Sequence, residues 1–231
     1  MANAPALGID LRKADALILS HGHYDHAGGL AHVLAQADRA EAYFHPNALI
    51  PRYSVRDGKA RSIGMPDDSL RAQERLPERR RHGATAPIMI DDRIGITGPI
   101  PRETKFEDTG GPFFLDPRGL LPDPIEDDLA LWIRTDEGVI VCAGCCHAGL
   151  ANTLRHVSRL TDNAPLRAVI GGFHLQSASE PRLAETIAAL RSLEAERIIP
   201  CHCTGEGAVR TLRDALGPRV APGAAGQRLF F

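Results

Sequence analysis

Residues 16–29 read Ala16-Leu17-Ile18-Leu19-Ser20-His21-Gly22-His23-Tyr24-Asp25-His26-Ala27-Gly28-Gly29. A short apolar run, readable as a buried strand, ends in four metal-ligand types within six residues. In extended chain, side chains two apart face the same way, so His21 and His23 can hold one ion. The chain then turns, and Asp25 and His26 project toward a second point a few ångströms away. Neutral imidazole and carboxylate suit zinc, manganese or iron(II). Gly28 and Gly29 let the backbone approach closely. Leu30, Val33 and Leu34 then fall on one helix face, and that helix's amino terminus adds positive potential favouring a bound anion or hydroxide. The bland alternative is a polar loop without metal, and the density of donors argues against it.

Working outward, the chain alternates apolar runs with amphipathic stretches. Ala40 to His45 reads as a strand closed by Pro46. Asp67 or Asp68 is placed to cap a helix through Leu70, Glu74 and Leu76. Ile88 to Ile96 is strand material. Proline and glycine punctuate Pro99 to Pro124 so heavily that a long loop is expected there, placed as a lid over a site. The last hundred or so residues carry an α/β rhythm. Strands are expected over Leu129–Arg134, Val139–Ala143, Ala168–Ile170 and Ile198–Ile199. Between and after them come helices over Asn152–Leu160, from Ser179 onward, and Ala208–Leu216, the last stopped by Gly217 and Pro218.

The chain has ten histidines. Six of them, His21, His23, His26, His147, His174 and His202, lie at or just past a strand-to-loop junction. Strand ends in an α/β sheet converge on one edge, where ligands bind. His32, His45, His82 and His156 read as surface or structural residues. The later histidines sit in three short blocks: Gly144-Cys145-Cys146-His147-Ala148-Gly149, Gly171-Gly172-Phe173-His174-Leu175 and Pro200-Cys201-His202-Cys203-Thr204-Gly205.

Composition bounds the function. The 231 residues are 43% hydrophobic and 24% charged, which fits a globular chain and excludes wholesale disorder. The length suits a single domain, residues 1–231, with a loop or lid insertion at about 66–124. Lys and Arg number 27 against 29 Asp and Glu, a net charge of −2 that argues against nucleic acid as a partner. No apolar run approaches the roughly 18 residues of a membrane span, and no secretory signal is legible. Five cysteines in two tight clusters make a poor disulfide framework and point to a reducing, cytoplasmic setting.

Together the four histidine blocks resemble those of the metallo-β-lactamase-fold hydrolases. More narrowly, HGHYDHAGGL, GCCHAG, GGFHL and PCHCTG are similar to the branch of 7,8-dihydropterin-6-methyl-4-(β-D-ribofuranosyl)aminobenzene-5′-phosphate synthase-like proteins. The resemblance runs from about Asn3 to about Leu216. It implies an α/β fold, an αββα sandwich with a metal site at one edge of its two sheets. It also implies a ligand set: His21, His23 and His147 for a first metal, and Asp25, His26 and His202 for a second. His174 is then a further ligand or a proton donor. Relatives carry a bridging aspartate in a Gly-Asp step where this chain has Gly144-Cys145. They also place a strand pair before the first histidine block, whereas no strand pattern precedes Ala16, so an amino-terminally shortened sandwich is expected.

The chemistry implied is that of one or two divalent ions, zinc first, with manganese or iron as alternatives. Such an ion lowers the pKa of bound water from 15.7 to about 7 for attack on a phosphorus or carbonyl centre. Asp25 both ligates and orients the nucleophile, while Ser20, Cys145 and Thr204 are candidates to fix the imidazoles. The substrate expected is a small anionic molecule, a phosphoester, pyrophosphate or ester, with a pterin phosphate as the branch's own theme. The arginine-rich Arg71 to Arg81 is one place to contact it, although a solvated face is the plainer reading. Two other readings stand. Cys142, Cys145, Cys146 and His147, with Cys201, His202 and Cys203, form a metal- or redox-sensing site. Alternatively, the chain is an inactive truncated homologue.

Overall fold

The computed structural model describes residues 3–231; residues 1 and 2, where the expected domain begins, lie outside the described residues. In chain order the elements begin with α1 (Asn3–Ala6), β1 (Ala16–Ile18), α2 (Tyr24–Ala27), α3 (Leu30–Gln36) and β2 (Glu41–Phe44). Next come β3 (Tyr53–Arg56), β4 (Lys59–Ser62), α4 (Asp67–Glu74), β5 (Arg81–Gly83), β6 (Ile88–Met89), β7 (Ile94–Ile96) and β8 (Phe113–Phe114). The remainder is β9 (Ala130–Thr135), β10 (Gly138–Ala143), α5 (Leu150–Leu160), β11 (Leu166–Gly172), α6 (Glu180–Ser192), β12 (Arg197–Cys201) and α7 (Glu206–Leu216). The chain divides into two compact units, Met1–Thr85 with Gly111–Asp127, and Ala86–Gly110 with Asp128–Phe231.

The first unit holds two three-stranded sheets, β1-β2-β5 and β4-β3-β8. The former is parallel, with Leu17 opposite Ala42 and Tyr43 opposite His82. Along β2 the side chains alternate, so Ala42 and Phe44 are buried while Glu41 and Tyr43 are half-buried. Those inward residues close a core with Leu19, Leu30, Leu34, Met65 and Leu76. Residues 53–62 carry no sustained apolar alternation that would mark a strand. The structure makes them a hairpin, β3 antiparallel to β4, turning at Asp57 (φ 50°) and Gly58 (φ 70°). Asp-Gly is the pair that a two-residue turn with two positive φ angles demands. Helix α4 forms as expected, but its cap is Pro66. Asp67 and Asp68 lie inside the first turn, where their charge suits the helix dipole instead.

The second unit is built on a six-stranded sheet in the order β12-β11-β10-β9-β7-β6. Ile88 to Ile96, expected as strand material, is a hairpin of two short strands. The break is an Asx-type turn: the Asp91 carboxylate accepts from the Arg93 and Ile94 amides at 2.8 and 2.7 Å. Strands β9 and β10 pair antiparallel across Asp136-Glu137, and β10, β11 and β12 run parallel. Such strands are covered on both faces, which is why Val139, Ile140, Val141, Ala168, Val169, Ile198 and Ile199 are all buried. The crossovers are α5 and α6. Leu150, Leu154 and Val157 of α5, Ile187 and Leu190 of α6, and Leu212 and Leu216 of α7 all enter this unit's core. Register sets Ala143 opposite Gly171 and Gly172 opposite Cys201, so three loops leave one sheet edge side by side.

Candidate metal centre

In the first unit, β1 delivers the chain to Ser20 and α2 turns it back, with His21, Gly22 and His23 extended between. His21 and His23 are buried, 0% and 5% exposed. His21 Nε2 lies 3.1 Å from His23 Nδ1, and the rings of His21 and His26 stand 4.2 Å apart. Three imidazoles are thus gathered within a short stretch of chain, with His26 beside His21 rather than turned away from it. Ser20 Oγ approaches Nδ1 of both His21 and His26, at 3.1 and 3.4 Å. Asp25 is exposed on α2, with Oδ2 3.7 Å from His26 Nε2.

A buried ion network holds this loop from behind. The Gly22 amide donates to Asp127 Oδ2 at 2.7 Å. Asp127 is ion-paired with Arg52, whose guanidinium also faces Asp123 at 3.4 Å and donates to the Asn47 carbonyl at 2.9 Å. The Arg52 and Asp127 side chains are fully buried. Gly22 admits no side chain, since a Cβ there would lie 2.1 Å from the Ala48 carbonyl oxygen. None of these partners was singled out from sequence. They lie 75 and 105 residues apart along the chain, and no local spacing marks such pairs.

In the second unit, each parallel strand ends in a donor-bearing loop. His147 is 1% exposed, and its ring stands 4.5 Å from that of His174. His147 Nδ1 lies 2.7 Å from the Thr109 carbonyl, which can only accept, so Nδ1 carries the proton and Nε2 is the electron-pair donor. The Ala148 amide donates to Asp128 Oδ2 at 2.7 Å. His202 is exposed. Burial pushes the His174 imidazole below its ordinary pKa, and the Arg182 charge adds to that.

Cys146 (φ 53°), His174 (φ 46°) and His202 (φ 51°) adopt left-handed backbone, one at the end of each parallel strand. Non-glycine residues in that region carry strain, and they gather where a fold must aim side chains. Thr204 does not orient an imidazole through its hydroxyl, as sequence had it. Its Oγ1 donates to the Cys201 carbonyl at 2.8 Å and accepts from the Phe173 amide at 3.1 Å, tying two of the loops together. The four histidines set aside have other partners: His32 meets Gln36, His45 caps a turn at Asn47, His82 meets Glu41, and His156 meets the Thr97 carbonyl.

The five cysteines are free thiols. Burial pushes the thiols of Cys142, Cys146 and Cys201 up. Cys203 moves the other way, its thiol lowered first by a hydrogen bond from the Cys145 side chain.

Residues 1–202 match the model of the metallo-β-lactamase superfamily. The chain belongs to that superfamily. It is 30% identical over 208 residues to the 7,8-dihydropterin-6-methyl-4-(β-D-ribofuranosyl)-aminobenzene-5′-phosphate synthase of Methanocaldococcus jannaschii, covering 88% of this chain and 70% of that protein. An uncharacterized protein of the same organism, MJ0448, is 29% identical over 199 residues, 86% of this chain and 72% of its own. Among solved structures, Tm1679, described as a metal-dependent hydrolase of the β-lactamase superfamily, superposes with a TM-score of 0.81 at 30% identity. That match covers 99% of this chain and 83% of Tm1679. The mixed α/β architecture is therefore of the metallo-β-lactamase type, as the histidine blocks implied.

Superfamily members usually bind divalent metals, and the donor chemistry here fits one. Buried imidazoles with nitrogens in mutual reach, no lysine or arginine in the HGHYDH loop, and a tautomer fixed at His147 all suit a cation rather than an anion. Among the described residues, no helix is long and apolar enough to cross a membrane.

Proposed function

We propose that this protein is a metal-dependent hydrolase that activates water for attack on a phosphoester, pyrophosphate or ester centre. The observation carrying this reading is the approach of His21, His23 and His26 in a loop whose first two imidazoles are buried. Following the family pattern, His21, His23 and His147 hold a first ion, and Asp25, His26 and His202 a second. A bound zinc, manganese or iron ion supplies a Lewis acid and a water of lowered pKa.

The chain's own groups do the rest. Ser20 orients His21 and His26, Thr109 orients His147, and Asp127 holds the Gly22 amide. Asp25 ligates and orients the nucleophile. His174, whose imidazolium burial makes the readier to give up its proton, serves as a ligand or, when protonated, gives that proton to the leaving oxygen and is left neutral. The substrate is a small anionic molecule. The name of the archaeal relative, a synthase, supports a pterin phosphate or ribosyl phosphate and leaves bond formation open beside hydrolysis. The free thiols fit a cytoplasmic setting.

The test is metal analysis of the purified protein, then phosphoester, pyrophosphate and lactone turnover with and without chelator. Turnover lost to chelator and restored by zinc is expected. His23→Ala and His147→Ala should each lose metal and at least a hundredfold in rate, on the order of one removed essential group. Unchanged metal content and turnover in both variants would overturn the reading. Thiolate ligation seen by X-ray absorption would transfer the site to the cysteines and to a sensing role.

A further inference from the structure

We propose that residues 102–110 form a positioning strap that sets the rings of His147 and His174, with Asp108 and Gly110 as its working points. The inference rests on the proposed function, in which these imidazoles serve the metal site. The segment has neither strand nor helix, yet it is tied down at both ends, over residues 102–104 and 107–110. Arg102 Nη1 donates to the His147 carbonyl at 2.7 Å. The Glu103 and Thr104 amides both donate to Asn152 Oδ1 at 3.0 Å. The Glu107 carboxylate accepts from the Ala151 and Asn152 amides at 2.8 and 3.0 Å, closing the first turn of α5. Asp108 is ion-paired with Arg182, a residue 5% exposed on α6, and accepts from the Gly110 amide at 2.7 Å.

The two residues that follow touch the imidazoles. Thr109 offers its carbonyl to His147 Nδ1 at 2.7 Å, which selects one tautomer and aims Nε2. Gly110, at φ +86°, leaves room for the other ring: a Cβ there would lie 2.1 Å from His174 Nδ1. A loop of this composition is ordinarily mobile. Here the ion pair with Arg182 and the cap on α5 hold it against the two rings, so the ligand geometry is prepared before any metal arrives. Asp108 and Arg182 act through Thr109 and Gly110 and are positioning residues.

The experiment uses the full chain, with zinc alone as the probe. Zinc affinity is measured by competition with a chelating dye, and the tautomer of His147 by long-range proton–nitrogen NMR on metal-free protein. Wild type is expected to show Nδ1–H at His147. Asp108→Asn and Gly110→Ala are expected to weaken zinc binding about tenfold or more, as lost outer-shell support does. Asp108→Glu, which keeps the carboxylate, should recover most of that loss. Asp108 is largely exposed, so its variants remain informative if Gly110→Ala misfolds. Nε2–H at His147 in the wild type, or Asp108→Asn binding zinc as tightly as wild type, would overturn the strap. A wild-type protein that binds no zinc overturns the proposed function instead, while the tautomer still tests the strap.

Discussion

Arg52 shows how a residue's surroundings overrule its type. Arginine read from sequence is a surface residue, yet here the side chain is fully buried between Asp123 and Asp127, and Asp127 in turn holds the Gly22 amide. Removing one partner of a buried pair leaves an uncompensated charge. Arg52→Met should therefore cost about 3–5 kcal/mol of stability, read from the midpoint of urea unfolding. His174 carries a pH signature. Its imidazole is pushed below the ordinary 6.5 by burial first and Arg182 second. The unfolded chain then binds a proton that the fold refuses, so the contribution is complete above about pH 6.5 and is lost as pH falls below it. Thermal midpoints followed from about pH 7.5 to about 5.5 should drop, and His174→Gln should flatten that drop. At this scale the donors themselves were legible, because His21, His23, Asp25 and His26 are neighbours in sequence. The supports were not: Asp127 reaches the Gly22 amide, and Thr109 and Arg182 reach His147 and His174, only through the fold.

Among the elements, the sequence reads best where period and punctuation agree. Ser179 precedes a stripe of Leu183, Ile187 and Leu190, and its side chain accepts from the Arg182 amide at the start of α6 as expected. Ser179→Ala should cost about 1 kcal/mol, visible in the urea midpoint, and should loosen Arg182 with it. The parallel strands were equally plain, since three apolar runs alternate with three amphipathic stretches. Reading failed where local chemistry decides. The β3–β4 hairpin lacks a hydrophobic alternation, as β4 is exposed throughout, and only Asp57-Gly58 marks it. The β6–β7 break depends on one aspartate side chain, and the cap of α4 on a proline that sets its backbone.

For the whole molecule, two units each carry their own apolar core. A metal that binds only the folded chain adds stability by mass action, about 2.7 kcal/mol when zinc stands at a hundred times its dissociation constant. Calorimetry should show the thermal midpoint rising with zinc and returning with chelator; a midpoint indifferent to both would argue that no folded site binds it. The superfamily was legible at this scale because its histidines fall in four short blocks, each at the end of an apolar run, in a chain only 30% identical to its archaeal relative.

The left-handed backbone at Cys146, His174 and His202 has an evolutionary consequence. Glycine would sit in all three places without strain, so each side chain there is held at a backbone cost on the order of 1–3 kcal/mol. A sister sequence that has abandoned the chemistry is free to accept glycine. Glycine at His174 or His202 in a descendant would remove a donor and its strain in one step, so the chemistry would be lost there while the fold gained.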